Sequence, residues 1–150
     1  MTGSDDEFVL FDTNLLVYAR DLDSPYYQRS KELQDLVNSG ELKAAITPQN
    51  LLEFYSVTTN LIKNKNADSQ KEAIDEIEKY LISPFELVVP SGSEIGIVLR
   101  LIKDKKLRGR KIFDVYLAAT MLSNGIDTIY TANVKDFKMF SEIKAVNPFK

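Results

Sequence analysis

Four acidic residues stand among apolar neighbours, far apart in the chain. Asp12 follows the run "FVLF", Glu53 lies inside "NLLEFY", Asp114 inside "KIFDVYLAATML" and Asp136 inside "YTANVKDF". A carboxylate removed from water is costly unless something pairs with it. Three or four carboxylates in one pocket also repel one another. Either some keep their protons, with raised pKa values, or a cation neutralises them. The chain has no histidine and no cysteine. That excludes a Ser-His-Asp triad, a Cys-His pair, disulfides and any imidazole or thiolate metal site. An all-oxygen ligand set suits Mg²⁺ or Mn²⁺. A divalent ion held by carboxylates activates water for in-line displacement at phosphorus, which is chemistry that needs no histidine.

For these acids to meet, the intervening elements must bring them to one edge of the fold. The apolar pattern alternates between short strands and longer helices. Residues 8–12 read as a strand. "DSPYYQRSKELQDLVNSG" reads as a helix with Ser24 as cap, Pro25 at the first helical position and Gly40 as stop. Residues 44–47 form a second strand. "TPQNLLEFYSVTTNLIKNK" opens on Thr-Pro and carries Leu51, Leu52, Tyr55 and Ile62 at helical spacing. A third helix, "DSQKEAIDEIEKYLIS", is capped near Asp68 or Ser69, with Ala73, Ile74, Ile77 and Leu81 apolar. Residues 85–89 are a strand ended by Pro90. "SGSEIGIVLRLIKDKKLRG" is a fourth helix with Ile95, Val98, Leu99 and Ile102 inward, and 112–123 a fifth, stopped at Asn124-Gly125. Strands follow at 128–131 and 145–147.

Strands alternating with helices imply βαβ units and a mostly parallel sheet covered on both faces. Such sheets build their sites at the carboxyl ends of strands. Asp12 lies at one such end, the helix carrying Glu53 starts at another, and "TANVKD" follows a third. Asp114 joins them if its helix begins at the same rim.

The bulk composition is consistent with this. A chain of 150 residues, 44% hydrophobic and 27% charged, fits one domain with a sizeable core. No internal repeat, low-complexity stretch or linker interrupts it. The first residues are polar and acidic and do not read as a signal peptide, and no apolar run is long enough to span a membrane. The absence of cysteine suits the cytosol. A net charge of −3 and a pI near 5.1 argue against a broad basic surface that coats nucleic acid, but leave room for a local basic strip.

In chain order, "FVLFDTNLLVYARD", "TPQNLLEFYSVT", "RGRKIFDVYLAATML" and "IDTIYTANVKDF" resemble the four signature blocks of the PIN domain. The resemblance is closest to VapC-type toxins of bacterial and archaeal toxin–antitoxin modules. It spans nearly the whole chain and implies one PIN-like α/β domain over 1–150. Its fold would be a three-layer α/β/α arrangement around a five-stranded parallel sheet of order 3-2-1-4-5. The implied activity is that of a metal-dependent endoribonuclease using Mg²⁺ or Mn²⁺. Asp12, Glu53 and Asp114 match the three acids of the family's metal site. The family often has a fourth acid two residues past the Thr that ends strand four. Here that position is Asn133, with Asp136 three residues on, and either one is a candidate to complete the site. Thr13, Asn14 and Thr131 match polar positions that orient the acids and the metal waters. The implied partners are RNA, a second copy in a homodimer, and a small antitoxin that lays a basic segment into the acidic groove. The implied address is cytoplasmic, without a membrane.

Each residue also has a plainer reading. Asp12 could cap a turn, Glu53 could be a solvated helix residue, Asp114 could favour a helix N-terminus by its charge, and Asp136 could cap the "FKMF" segment. The set, rather than any member, argues for a metal site. In "LRGRK", Arg108, Arg110 and Lys111 either form a solvated face or hold RNA phosphates. "KDKK" (103–106), Lys63 and Lys65 read as solvated. Tyr18, Arg20, Tyr26 and Tyr27 read as packing rather than base stacking.

Other functions fit less well. A phosphorelay receiver needs an Asp at the end of strand three, where this chain has "VVPSG". A haloacid-dehalogenase-type phosphatase needs an Asp where Asn14 stands. A PIN-like scaffold or RNA-binding module without catalysis would be signalled by loss of a main acid, and Asn133 is the one hint of it.

Overall fold

The computed structural model describes residues 7–150. Five strands form one sheet: β1 (Val9–Phe11), β2 (Ala44–Ile46), β3 (Glu86–Leu87), β4 (Thr128–Tyr130) and β5 (Lys144–Val146). Their order is β3-β2-β1-β4-β5, and every neighbouring pair is parallel. This is the order that the PIN-domain resemblance implies. Val9 lies opposite Ala44 and Thr128, and Leu10 opposite Ala45 and Ile129.

Six helices cover the sheet: α1 (Thr13–Tyr18), α2 (Tyr27–Asn38), α3 (Pro48–Thr58), α4 (Gln70–Ile82), α5 (Glu94–Ile102) and α6 (Lys111–Ser123). Side chains alternate across a strand, so the sheet feeds two cores. Leu10, Ala45 and Ile129 join Val98 and Leu101 of α5 and Val115, Ala118 and Ala119 of α6. Phe11, Ala44 and Ile46 join Leu15 and Leu16 of α1, Leu33 of α2, Leu51 and Phe54 of α3 and Tyr80 of α4. Within that second core, Phe11 meets Phe85 edge-on at 5.2 Å and stacks with Tyr130 at 5.9 Å.

The structure departs from the sequence reading in several places. The first is α1, a turn and a half that "TNLLVY" does not announce. It forms because Asp12 caps it, its carboxylate accepting from the Thr13 N–H and its carbonyl from Leu15 N–H. Ser24 does not cap α2. Its hydroxyl accepts from Tyr26 N–H in a turn, and the helix starts at Tyr27. α3 stops at Thr58, so Ile62 lies beyond it and is 97% exposed, and Leu52 is 71% exposed. The inward stripe of α3 is Leu51, Phe54 and Thr58 instead. On α4 the buried residues are Ala73 and Tyr80, while Ile74 and Leu81 face outward. On α5 they include Val98 and Leu101, while Ile95 and Leu99 face outward. In each helix the apolar residues cover more than one face, so spacing alone does not say which row meets the sheet.

Glu94 opens α5 and is only 1% exposed. It is fully hydrogen-bonded. Ser123 Oγ of α6 donates to it, as do Ser91 N–H at 2.9 Å and Gly92 N–H at 2.7 Å. The Ser123 hydroxyl first, and then these backbone donors, hold its carboxyl down at about 2. Stability from a depressed acid is present above its unfolded pKa and is lost as pH falls through the folded one. Glu94→Gln turns amide hydrogens toward donors. We expect the variant to unfold at lower urea than wild type at pH 7. The gap should narrow as pH falls from the ordinary 4.5 toward about 2. Urea titrations at stepped pH measure this.

Candidate functional site

The strand order reverses at β1, with β2 on one side and β4 on the other. A crevice opens at the carboxyl ends of strands at such a switch point. Asp12 directly follows β1 and Thr131 directly follows β4. The Asp12 N–H donates to Tyr130 O at 3.0 Å, and the Thr131 N–H to Val146 O at 2.9 Å. The two residues therefore meet across the crevice. Thr131 Oγ1 donates to Asp12 Oδ2 at 2.7 Å, Asn14 Nδ2 reaches the same oxygen at 3.3 Å, and the Thr13 N–H donates to Oδ1 at 2.8 Å. Asn14 also touches Thr131 Oγ1 and accepts from Ala132 N–H. Thr13, Asn14 and Thr131 thus surround Asp12.

A second polar chain aims Glu53. Thr47 and Asn50 form a capping box at the start of α3. Asn50 is fully buried, and its Nδ2 donates to Thr13 Oγ1 at 3.0 Å. Thr13 Oγ1 in turn donates to Glu53 Oε1 at 3.0 Å. Asn50 and Thr47 did not stand out in the sequence as site residues. The signal was there in "TPQN", because an Asn at the third helical position of a Thr-capped helix closes a capping box, and here its amide also reaches Thr13.

Asp114 lies in the first turn of α6, half-buried. Burial first, then the charges of Asp136 and Asp12, push its carboxyl up to about 6, against the opposing pull of Lys111. Asp12 is also raised from the ordinary value, first by burial. The hydrogen bonds from Thr131 and Thr13 work against that rise, while Glu53 and Asp136 add to it. The four acids therefore share one electrostatic field. Asp136 lies on a short 3₁₀ turn (Val134–Asp136), and Lys111 Nζ is 3.3 Å from its Oδ1. Asn133 precedes that turn, with its N–H on Thr131 Oγ1 at 3.0 Å.

The donor set is oxygen throughout, which is what a hard divalent cation takes. Among the described residues, no three Asp or Glu side chains are gathered tightly enough to cage an ion as they stand. None of Asp12, Glu53 and Asp114 has a Lys or Arg ion-pair partner there either. Beside Glu53 runs a groove of about 510 Å³, walled by Leu52, Phe113, Tyr116 and Arg110. Gln49 ties its two sides together, its Nε2 donating to Phe113 O at 3.2 Å. Arg108 and Arg110 are exposed just ahead of α6. Tyr18 and Tyr26 pack with Phe149, at 5.0 Å for the tyrosine pair and 4.6 Å for Tyr26 and Phe149. Arg20 pairs with Asp68 at 3.0 Å.

Comparison with known proteins agrees with this architecture. Residues 9–143 match the PIN domain. The chain belongs to the PIN domain family. It is 27% identical over 140 residues to Ribonuclease VapC48 of Mycobacterium tuberculosis, covering 93% of this chain and 96% of that one. Its fold is similar to that of VapC20 of Mycobacterium tuberculosis, described as a sarcin-ricin loop cleaving toxin. That match has a TM-score of 0.63 and 12% identity over 90% of this chain and 98% of the other. A toxin–antitoxin complex from Klebsiella pneumoniae matches with a TM-score of 0.62 and 18% identity, over 95% and 98% of the two chains.

A carboxyl whose pKa is raised on folding weakens the folded state as pH rises. For Asp114 the penalty is absent below the ordinary 3.8 and complete above about 6. Asp114→Asn in metal-free protein should therefore melt higher than wild type at pH 8, with the difference fading toward pH 4. Thermal melts in EDTA at a series of pH values check the sign.

Proposed function

We propose that this protein is a metal-dependent endoribonuclease and acts as the toxin of a toxin–antitoxin pair. One observation carries the reading: at the switch point of the sheet, Asp12 is held by Thr131 and Thr13 within the electrostatic reach of Glu53 and Asp114. Acids that repel one another, with Asp12 and Asp114 partly desolvated and Glu53 open to solvent, form a site that gains from a cation. Asp12, Glu53 and Asp114 would hold one Mg²⁺ or Mn²⁺, whose charge acidifies water and stabilises phosphoryl oxygens. Asn133 and Asp136 flank the same crevice, where they would orient a bound water beside the ion. The fit lies in donor chemistry and charge, with Asp12 and Glu53 each hydrogen-bonded from behind and Asp114 half-buried beside them.

The protein's own groups do the positioning. Thr131 Oγ1, Asn14 and the Thr13 N–H fix the direction of the Asp12 carboxylate, and Asn50 acting through Thr13 fixes Glu53. Asp114 is ionised above about 6, so it is ready as a ligand at neutral pH. In the reaction, the oxygen of water bonds to phosphorus as the P–O3′ bond breaks. A proton goes to the leaving oxygen, giving a 3′-hydroxyl and a 5′-phosphate. Arg108 and Arg110 supply positive charge to the RNA backbone ahead of α6.

The relatives add partners to the proposal. The protein would work in the cytoplasm as a homodimer, restrained by a small antitoxin whose basic segment complements the acidic crevice. No described helix is long and apolar enough to cross a membrane.

Cleavage of a total RNA pool with Mg²⁺ or Mn²⁺, against EDTA, tests the activity. Discrete metal-dependent products are expected, and they should disappear in Asp12→Asn and Asp114→Asn. Thr131→Val, which removes a hydroxyl behind a ligand, should lower activity by about 10- to 100-fold. No cleavage by folded, inhibitor-free protein would replace this reading with an RNA-binding or scaffold role. Cleavage that survives both acid substitutions would assign it to a contaminant.

A further inference from the structure

Asp136 differs from the other acids of the crevice in what it touches. Among the described residues, the one side-chain hydrogen bond it accepts comes from Lys111 Nζ, at 3.3 Å. Asp12, by contrast, is aimed by a hydroxyl, an amide and a backbone N–H. The Lys111–Asp136 pair joins the first residue of α6 to the 3₁₀ turn after β4. Its members are 49% and 35% exposed. An ion pair so open to water adds little to stability, so folding does not explain it. What it does is place an ammonium group at the mouth of the crevice.

The position of that ammonium is specific. Lys111 and Asp114 are three residues apart on α6 and share a face of the helix. Lys111 lowers the pKa of Asp114 against three carboxylates that raise it, so the two are within electrostatic reach. A lysine has three donors and no acceptor. One donor engaged by Asp136 leaves two that can meet an anion, and ammonium groups are established phosphate binders. Asn133, next to this turn, is neutral. The Asp136 side of the crevice therefore combines one carboxylate, one ammonium and one amide, which is a poor nest for a second divalent ion and a good one for a phosphate oxygen.

We infer that Lys111 contacts a non-bridging oxygen of the scissile phosphate, and that Asp136 is the positioning residue that holds Lys111 there rather than a metal ligand. The inference rests on the nuclease reading and refines it. Lys111 takes the electrostatic role that a second cation would have at phosphorus, while Asp12, Glu53 and Asp114 hold the single ion.

Two measurements on the full chain test this: Mn²⁺ binding followed by electron paramagnetic resonance, and cleavage of a single-stranded RNA. Circular dichroism melts confirm that each variant is folded. Wild type should bind one Mn²⁺ per chain. Asp136→Asn and Lys111→Gln should leave Mn²⁺ affinity within about twofold, while a ligand variant such as Asp114→Asn should lose about 10-fold or more. Each of the two variants should slow cleavage by about 10-fold or more. The double variant should be no slower than the worse single one, because the residues act as a unit. Lys111→Arg should recover part of the loss. Three results overturn the inference: a loss of Mn²⁺ affinity in Asp136→Asn comparable with that in Asp114→Asn, two Mn²⁺ per wild-type chain, or single losses that multiply in the double variant. A wild type that neither binds Mn²⁺ nor cleaves RNA removes the nuclease reading itself, and this inference with it, and is distinct from those three.

Discussion

The hydroxyl of Thr131 on the carboxylate of Asp12 is the contact on which the crevice depends. Asp12 follows directly from a buried strand, and a charge there is costly without partners. Its partners arrive from two directions. Thr13 and Asn14 come from the chain just ahead, as the cap and first turn of α1. Thr131 comes from the next strand across, and it reaches Asp12 because β4 pairs with β1 in register, Phe11 opposite Tyr130. A shift of one residue in that pairing would turn Thr131 to the other face of the sheet. The two cores hold the register, Leu10 and Ile129 on one side and Phe11 and Tyr130 on the other.

Glu94 and Asp12 show two ways of burying an acid in one molecule. Glu94 is surrounded by donors, with no acid among its influences, and its carboxyl stays far on the ionised side. It joins α5 to α6 and has no capacity left for a ligand. Asp12 also has donors, but desolvation outweighs them and two other acids reinforce it. The first arrangement is complete in itself. The second is electrostatically unbalanced, and imbalance of that kind marks a group prepared to bind something. Asp114 shares it, half-open to solvent at the start of its helix.

Much of this could be read in the sequence, for identifiable reasons. The strand order was implied by the resemblance of four motif blocks to the PIN domain, and the rim position of Asp12 followed from an apolar run that ends in an acid. What escaped was information carried by single atoms. α1 exists because the side chain and the carbonyl of Asp12 both act as caps, and no periodicity within six residues reveals that. No local pattern assigns Asn50 to the site, and only the approach of α1 to α3 brings its amide to Thr13. On α5 the expected inward row fails at Ile95 and Leu99, because that helix carries apolar residues on adjacent rows. The pairing of Lys111 with Asp136 spans 25 positions and two elements, beyond the reach of local pattern.

The strand order also sets when the site can exist during synthesis. Asp12 is made before Glu53 and Asp114, and Thr131 is made after all three. The backbone of Thr131 is itself anchored on Val146 of β5, the edge strand, which is made later still. A nascent chain that already contains Asp12, Glu53 and Asp114 thus lacks the hydroxyl that settles the first of them. The sheet thus acts as a delay: the crevice is finished only after β5 has emerged.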